Sequence, residues 1–201
     1  MSKLLRVNIS TGNSKLGPIK SVSLPPGKAC GKAAKYCFHH CYDRRHVSGR
    51  FPQVMVTRGI NLFMARYMRG TYFAQIADTC RSTRAKRFRW HVGGDILDQN
   101  YLDLMYQTAE SCPETQFLCF TKRHDLEYKW PKDSGNLVIV MSQWPGLQVP
   151  LMPVVCAHDY AWVTTDVRRY ADSKKRQTCP GSCTNCWACW QRGKDVEFDI
   201  H

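Results

Sequence analysis

The chain has 201 residues, a formal net charge of +13 and eleven cysteines. This length suits one domain with a real core, and no run of apolar residues approaches the ~20 that a membrane helix needs. The start of the chain also lacks the apolar region of a secretory signal. These features exclude a membrane-spanning protein and predict a cytoplasmic one, in which clustered cysteines favour metal binding over disulfides.

The first part of the chain is predicted to form two paired strands and then two helices. The strands run from Leu4 to Ile9 and from Ile19 to Leu24, with a turn at residues 11–13. Apolar residues that recur every three or four positions predict an amphipathic helix from Thr57 to Gly70. A second, shorter helix is predicted from Tyr72 to Cys80.

Three cysteines lie between these strands and helices. They are Cys30, Cys37 and Cys41, with the spacing C-x6-C-x3-C. Three thiolates on a cubane iron–sulfur cluster leave one iron without a protein ligand, so a substrate or cofactor can coordinate there, much as catalytic zinc keeps an open position. The adjacent His39 and His40 are the alternative source of a fourth ligand.

The second part of the chain is predicted to alternate strands with helices. A strand beginning at Phe88 runs into the turn Gly93-Gly94-Asp95, and a helix follows from about Gln99 to Ser111. Further strands are predicted at Thr115 to Lys122, Asn136 to Ser142, Val154 to Cys156 and Ala161 to Thr164. Strands separated by helices indicate a parallel α/β sheet, whose ligands bind beyond the carboxyl ends of the strands.

This rim of the sheet is predicted to bind a cofactor. Glycines there let the backbone approach a ligand closely, and an acid beside them can hold an amino or hydroxyl group. The predicted cofactor contacts are Gly93, Gly94, Asp95, Lys122 and Ser142. A plain tight turn at the glycines and a surface position for the lysine are the alternatives.

Four further cysteines lie within eleven residues near the end of the chain. They are Cys179, Cys183, Cys186 and Cys189. Thiols this close suit a 4Fe–4S cluster, in which each iron takes its own thiolate, better than one zinc ion, which usually draws ligands from separate parts of a chain. Zinc is the alternative metal, disulfides or free thiols are the alternatives without metal, and one cluster shared by both cysteine groups stays open.

The remaining cysteines are predicted to lie in the core, and the basic residues predict a polyanionic partner. Four isolated cysteines in apolar settings are predicted to be buried: Cys80, Cys112, Cys119 and Cys156. Basic runs at residues 81–89 and 168–176 predict binding of nucleic acid or another polyanion through phosphate contacts. A solvated surface is the alternative for these runs.

Several short motifs extend over nearly the whole chain. Besides the two cysteine groups they include Asn13-Ser-Lys15-Leu16-Gly17, Ser23-Leu24-Pro25, Gly94-Asp95, Tyr101, Pro113-x3-Phe117-x3-Thr121-Lys122, Asn136-Leu137, Ser142, Cys179-Pro180 and Cys186-x2-Cys189-Trp190. Together they resemble the phage gene product 88 family. This resemblance implies a bacteriophage protein in the cytoplasm of the infected host.

A weaker resemblance bears on mechanism. A three-cysteine loop after the first strands, followed by a Gly-Gly-acid turn, is similar to the layout of radical S-adenosylmethionine enzymes. That resemblance implies a partial (β/α) barrel in which Cys30, Cys37 and Cys41 hold a 4Fe–4S cluster and S-adenosylmethionine binds the open iron. Gly93, Gly94 and Asp95 would contact its methionine moiety, and the C-terminal four cysteines would hold an auxiliary cluster. This chain differs from the usual pattern of the radical S-adenosylmethionine enzymes, which has the spacing C-x3-C-x2-C and a glutamate where this chain has Asp95.

The sequence therefore predicts an α/β protein with a partial (β/α) barrel-like parallel sheet over residues 1–170 and a cysteine-rich metal-binding loop over residues 171–201. The predicted function is an iron–sulfur enzyme of the radical S-adenosylmethionine kind, with one or two 4Fe–4S clusters, that modifies a nucleic acid or a host component. The alternative is a non-catalytic iron–sulfur or zinc protein that binds nucleic acid or a host protein, with a structural or redox-sensing cluster. No catalytic residue is assigned.

Overall fold

A computed structural model describes residues 5–31, 35–39, 41–49, 51–129, 135–143, 160–163, 176–191 and 195–198. Within these ranges the strands are β1 Ile9–Ser10, β2 Lys20–Val22, β3 Arg87–Trp90, β4 Gln116–Thr121, β5 Leu137–Gln143, β6 Tyr160–Val163, β7 Arg176–Thr178 and β8 Asp195–Phe198. The helices are α1 Lys35–His39, α2 Tyr42–Gly49, α3 Pro52–Tyr67, α4 Arg69–Ser82 and α5 Gln99–Glu110, and Ala188–Trp190 is a 3-10 turn.

The described strands form one sheet in the order β1-β2-β3-β4-β5-β6-β8-β7. Only β1 is antiparallel to its neighbour; all the other pairs are parallel. The predicted α/β class is confirmed, and over the described residues the sheet is open, with β1 and β7 at its edges. The partial barrel stays a prediction, as does the division at residue 170. Strands β7 and β8, from beyond that residue, extend the same sheet.

The predicted first strand is wrong over most of its described part, since of residues 5–9 only Ile9 pairs with β2. Side chains from two helices accept hydrogen bonds from backbone N–H groups that would otherwise pair with a neighbouring strand. The Val7 N–H donates to Gln75 Oε1 at 2.8 Å, and the Asn8 N–H donates to Asn61 Oδ1 at 2.7 Å. Because these groups are satisfied, the segment packs on the helices without joining the sheet.

The predicted helices are present, but their bounds differ. The first begins earlier, at Pro52, since proline suits the first turn of a helix, where its missing N–H costs no hydrogen bond. The helix predicted from Gln99 is confirmed as α5, and its start is fixed by Asp98, whose side chain accepts a hydrogen bond from the Tyr101 N–H. The short helices α1 and α2 were not predicted, and the predicted strand from Val154 lies outside the described residues.

Alternate side chains along the central strands point to two different cores. Phe88 and Trp90 of β3 belong to a large core between the sheet and helices α3, α4 and α5, where Trp90 stacks on Phe117 with 4.8 Å between ring centroids. Arg87 and Arg89 lie on the other face. A smaller core on that face comprises Leu16, Ile19, Leu118, Val138, Val140 and Trp190, with three C-terminal side chains packed against it: Cys183, Trp187 and Cys189.

Three of the isolated cysteines confirm their prediction, because Cys80, Cys112 and Cys119 are buried in the large core. Cys156 lies outside the described residues. None of the described helices is long and apolar enough to cross a membrane.

Candidate functional site

The structure brings the thiols of Cys30, Cys37 and Cys41 together. Burial is the main reason that the pKa of Cys30 rises to about 11, and negative charge on Cys37 raises it further. Burial likewise raises the pKa of Cys37, with negative charge on Cys41 adding to the effect. Such mutual effects require thiols that are close in space, so these three thiols lie near one another in one partly buried place.

Each of these sulfurs has a hydrogen-bond donor beside it. The Gly27 N–H donates to Cys30 Sγ at 3.3 Å, and the Arg44 N–H donates to Cys41 Sγ at 3.4 Å. The Lys122 side chain donates to Cys37 and lowers the pKa of that thiol against the effect of burial. Donors of this kind stabilise thiolates, the form in which cysteine binds a metal.

Asp95 connects the three-cysteine loop to the carboxyl end of β4. Its Oδ1 accepts hydrogen bonds from the Ile96 N–H at 2.8 Å and from Thr121 Oγ1 at 2.6 Å, and its Oδ2 accepts one from the Lys122 N–H at 2.9 Å. Its own N–H donates to the Ala29 carbonyl, next to Cys30. Burial raises the pKa of this carboxyl, while the charge of Lys122 opposes that rise. Asp95 therefore fixes the positions of both Lys122 and the cysteine loop.

The two glycines before Asp95 allow close packing of the loop. A side chain at Gly93 would overlap the carboxylate of Asp43, which forms a buried ion pair with Arg58 at 2.5 Å. Gly94 has φ +83° and lies against Leu24, so both its conformation and its surroundings favour glycine. The predicted contact of these glycines with a cofactor stays a prediction.

Ser142 is another predicted cofactor contact. It is buried in β5, and its carbonyl oxygen lies 2.9 Å from Nε2 of His124. His39, the alternative ligand, is exposed, with its ring edge-on to Phe38. His40 lies outside the described residues. Within the described ranges, no three or more His, Cys, Asp or Glu side chains are arranged around one metal position.

The C-terminal cysteines form a second group, on the face of the sheet opposite the large core. Burial raises the pKa of Cys189 to about 12 and also raises that of Cys183; the neighbouring thiols add to both shifts, and Arg89 opposes them. The Cys183 N–H donates to the Lys15 carbonyl at 2.7 Å. The four predicted ligands thus lie close together, anchored to the N-terminal hairpin and near the positive charges of Arg89 and Lys15.

Tryptophans hold this second group against the sheet. The Arg87 guanidinium lies 3.8 Å from the ring centroid of Trp187, and Gln116 Nε2 donates to the Trp190 carbonyl at 2.6 Å. The residues between and around the cysteines are therefore part of the smaller core. Their burial fixes where the four thiols can lie.

A buried polar chain that begins just after β3 was not predicted from the sequence. His91 follows β3 with φ +57°, an uncommon value for a residue other than glycine. Its Nε2 lies 3.0 Å from the hydroxyl of Tyr101, which in turn donates to the hydroxyl of Tyr72 at 3.0 Å. A histidine two residues before a Gly-Gly-acid turn was the available signal, but nothing in the sequence shows its tyrosine partners.

The buried His91 predicts a loss of stability in acid. Burial lowers its pKa to about 3, and the charge of Arg89 adds to that shift, whereas an unfolded histidine titrates near 6.5. Below about pH 6.5 the unfolded chain therefore binds a proton that the folded chain refuses, and the free energy of unfolding falls by up to about 1.4 kcal/mol per pH unit until about pH 3. Urea unfolding at about pH 7 and about pH 5 measures this.

The matched variant for this test is His91→Asn, because asparagine tolerates a positive φ and does not titrate. Its stability should fall less than that of the unmodified chain over the same pH interval. Equal losses in the two proteins would contradict the assignment of the acid sensitivity to His91.

A cleft of about 270 Å³ lies directly beside the three-cysteine loop. It is lined by Lys28, Ala29, Gly31, Arg66, Leu97 and Asp98. Arg123 holds the backbone beside this cleft in place, because its Nη1 donates to the carbonyls of Ile96 and Leu97. The lining combines backbone of the cysteine loop with two basic side chains.

Comparisons with known proteins agree with one of the two predicted resemblances. The model of the family described as Gene product 88 matches residues 3–192, which is nearly the whole chain. Neither a search of curated proteins nor a search of solved structures gave a match. The resemblance to radical S-adenosylmethionine enzymes stays a prediction.

Proposed function

We propose that this chain, which belongs to the gene product 88 family of phage proteins, is an iron–sulfur protein whose first cluster is held by Cys30, Cys37 and Cys41. Three thiolates leave one iron of a 4Fe–4S cluster open to another ligand. The observation that carries the proposal is the grouping of these thiols with Asp95 and Lys122 beside the carboxyl ends of β3 and β4.

The donors around the sulfurs fit such a cluster. Two backbone N–H groups and the Lys122 side chain each donate to a different thiol. Hydrogen bonds to coordinating sulfurs are among the means by which a protein tunes an iron–sulfur cluster. Burial without a metal raises the pKa of Cys30 and Cys37, so ligation would have to supply the charge compensation that keeps them as thiolates.

The proposed chemistry is that of the radical S-adenosylmethionine enzymes. When bound, the cluster would supply an electron to S-adenosylmethionine at its open iron. Lys122 would orient the carboxylate of that molecule, and Gly93 and Gly94 would let the backbone lie close to it. A carboxylate oxygen accepts two hydrogen bonds, and among the described residues Asp95 Oδ1 accepts two but Oδ2 only one. Oδ2 would therefore accept from the amino group.

The second group supports a separate, closed metal site. Cys179, Cys183, Cys186 and Cys189 supply four thiols, enough to saturate either a 4Fe–4S cluster or one zinc ion. This proposal gives Ser142, a predicted cofactor contact at the carboxyl-end rim of the sheet, no role in binding. Because the closed site has no open position, we propose that it stabilises the fold or passes electrons.

The alternative function follows from that closed group and from the charge of +13. It is a non-catalytic iron–sulfur or zinc protein that binds nucleic acid or a host protein. In either case the proposed place of action is the cytoplasm of the infected host. The two functions differ in whether S-adenosylmethionine changes the metal site.

The experiment is to measure iron, zinc and acid-labile sulfide in protein purified without oxygen, and to record electron paramagnetic resonance spectra before and after adding S-adenosylmethionine. We expect about eight irons per chain and a spectrum that shifts on addition. About four irons with an unchanged spectrum would overturn the enzyme and leave the alternative. Zinc without iron would overturn both iron–sulfur proposals.

A further inference from the structure

An exposed surface of aromatic and basic side chains flanks the three-cysteine loop. This aromatic–basic surface consists of Lys28, Phe38, Arg44, Phe63, Arg66 and Tyr67. Phe38 is 42% exposed, Phe63 49% and Tyr67 73%. Large aromatic rings left in water beside a candidate active site indicate a surface that a partner covers.

Contacts between neighbouring residues make this surface continuous. The Phe38 ring lies against Gly27 in the three-cysteine loop, where an added Cβ would be 3.0 Å from it. The carbonyl of the next residue, Lys28, accepts a hydrogen bond from Arg66 Nη2 at 3.2 Å. On the same helix the rings of Phe63 and Tyr67 lie 5.1 Å apart. The surface therefore runs from the loop onto α3.

The charge of this surface is positive. Lys28, Arg44 and Arg66 are all exposed, and the Arg44 guanidinium lies 4.3 Å from the ring centroid of Phe38. Two neighbouring acids are each bound to an arginine of their own: Asp43 to Arg58 and Asp98 to Arg69. Those ion pairs neutralise the acids, so the surface complements a polyanion.

We infer that this surface binds single-stranded nucleic acid. Exposed rings offer faces on which unpaired bases stack, and basic side chains between them contact the phosphates. A duplex hides the faces of its bases, so it would use the charges but not the rings. The charge complementarity favours nucleic acid over a protein partner.

The aromatic–basic surface adjoins the cleft beside the three-cysteine loop. Lys28 and Arg66 belong both to the surface and to the cleft beside Cys30. A strand bound along α3 would therefore pass the mouth of that cleft. This inference rests on the proposed function in one respect, because it names single-stranded nucleic acid as the substrate class.

The test measures binding of fluorescein-labelled oligothymidylate and oligouridylate, each of about twenty nucleotides, by fluorescence anisotropy. Both Phe63→Ala and Tyr67→Ala are expected to weaken binding of the preferred strand about tenfold, since each removes a stacking ring. Val56→Ala is the matched control, because Val56 is 65% exposed on the same helix but offers no ring. Tyr67→Phe keeps the ring and should retain affinity.

A salt titration tests the charges separately. Arg66→Ala is expected to reduce the slope of log K against log salt by about 0.7, the value for one phosphate contact on a single strand. Lys129→Ala is the control of equal charge. Lys129 is exposed, pairs with Glu110 at the end of α5, and lies outside both the aromatic–basic surface and the basic runs of the sequence. Its removal should leave the slope unchanged.

Four results would overturn the inference. They are equal affinity for a duplex of the same length, ring variants that bind as well as the unmodified chain, no binding at physiological salt, and ring variants that change the oligomeric state, which would make the surface a contact between copies. Cys37→Ser separates this inference from the proposed function. If that variant lacks the first cluster yet binds the strand, strand binding does not depend on the cluster. If the unmodified chain contains its clusters but binds no strand, this inference fails and the proposed function is unaffected.

Discussion

Cys37→Ser protein purified without oxygen is expected to lose about four irons and four sulfides per chain. Cys37 lies near both other thiols of its group, since its charge affects Cys30 and the charge of Cys41 affects Cys37. Removal of this ligand leaves two thiols, too few to retain a cubane cluster. The second group, on the face of the sheet opposite the large core, should keep its own metal.

Two further variants control this experiment. Cys189→Ser should remove the metal of the C-terminal group instead, and should also destabilise the chain, because metal ligation is coupled to folding and Cys189 packs against the smaller core. Cys112→Ala, at a buried cysteine outside both groups, should leave the iron content unchanged. A Cys37→Ser protein with full iron would refute the first site.

Gly93→Ala is expected to destabilise the fold by roughly 3 kcal/mol or more. The added methyl group would overlap the Asp43 carboxylate, and both partners of the Asp43–Arg58 ion pair are largely buried, with side-chain exposures of 7% and 12%. A buried ion pair that is forced apart leaves two uncompensated charges. Urea unfolding measures the change in the free energy of unfolding.

The matched control is another glycine to which a methyl group can be added freely. Gly59 lies in α3, and apart from its chain neighbours and its own helix backbone, no atom of the described residues lies within 4 Å of a Cβ placed there. Gly59→Ala should stabilise the chain by roughly 0.5–1 kcal/mol, since alanine is the better helix former. If Gly93→Ala were as stable as the unmodified chain, the ion pair would not depend on this glycine.

Much of the fold could be predicted because local patterns determined it. The apolar run from Asn136 and the alternation that begins at Phe88 both became strands of a parallel sheet. The error at residues 5–9 has a physical origin in distant side chains. Asn61 and Gln75 lie more than fifty residues away, and no local pattern shows that they will occupy the backbone of that segment.

The candidate site was predictable in its ligands but not in its supports. Cysteine spacing alone identified both groups of thiols. Their hydrogen-bond donors could not be predicted from sequence patterns. The donor to Cys37, for example, is Lys122, which is distant in sequence and follows β4. Asp95 was expected to face a ligand, and its bonds to Thr121 and Lys122 add a structural role that only the folded arrangement reveals.

Strand β3 also constrains how the gene can change. Its two aromatic residues face the large core, while Arg87 and Arg89 face the four-cysteine group, each with a buried Nε that has no hydrogen-bond partner among the described residues. Insertion or deletion of a single residue within the strand would exchange the two faces, burying arginines among aromatic rings. Length variation among homologues should therefore fall in the connections on either side of β3 and spare the strand itself.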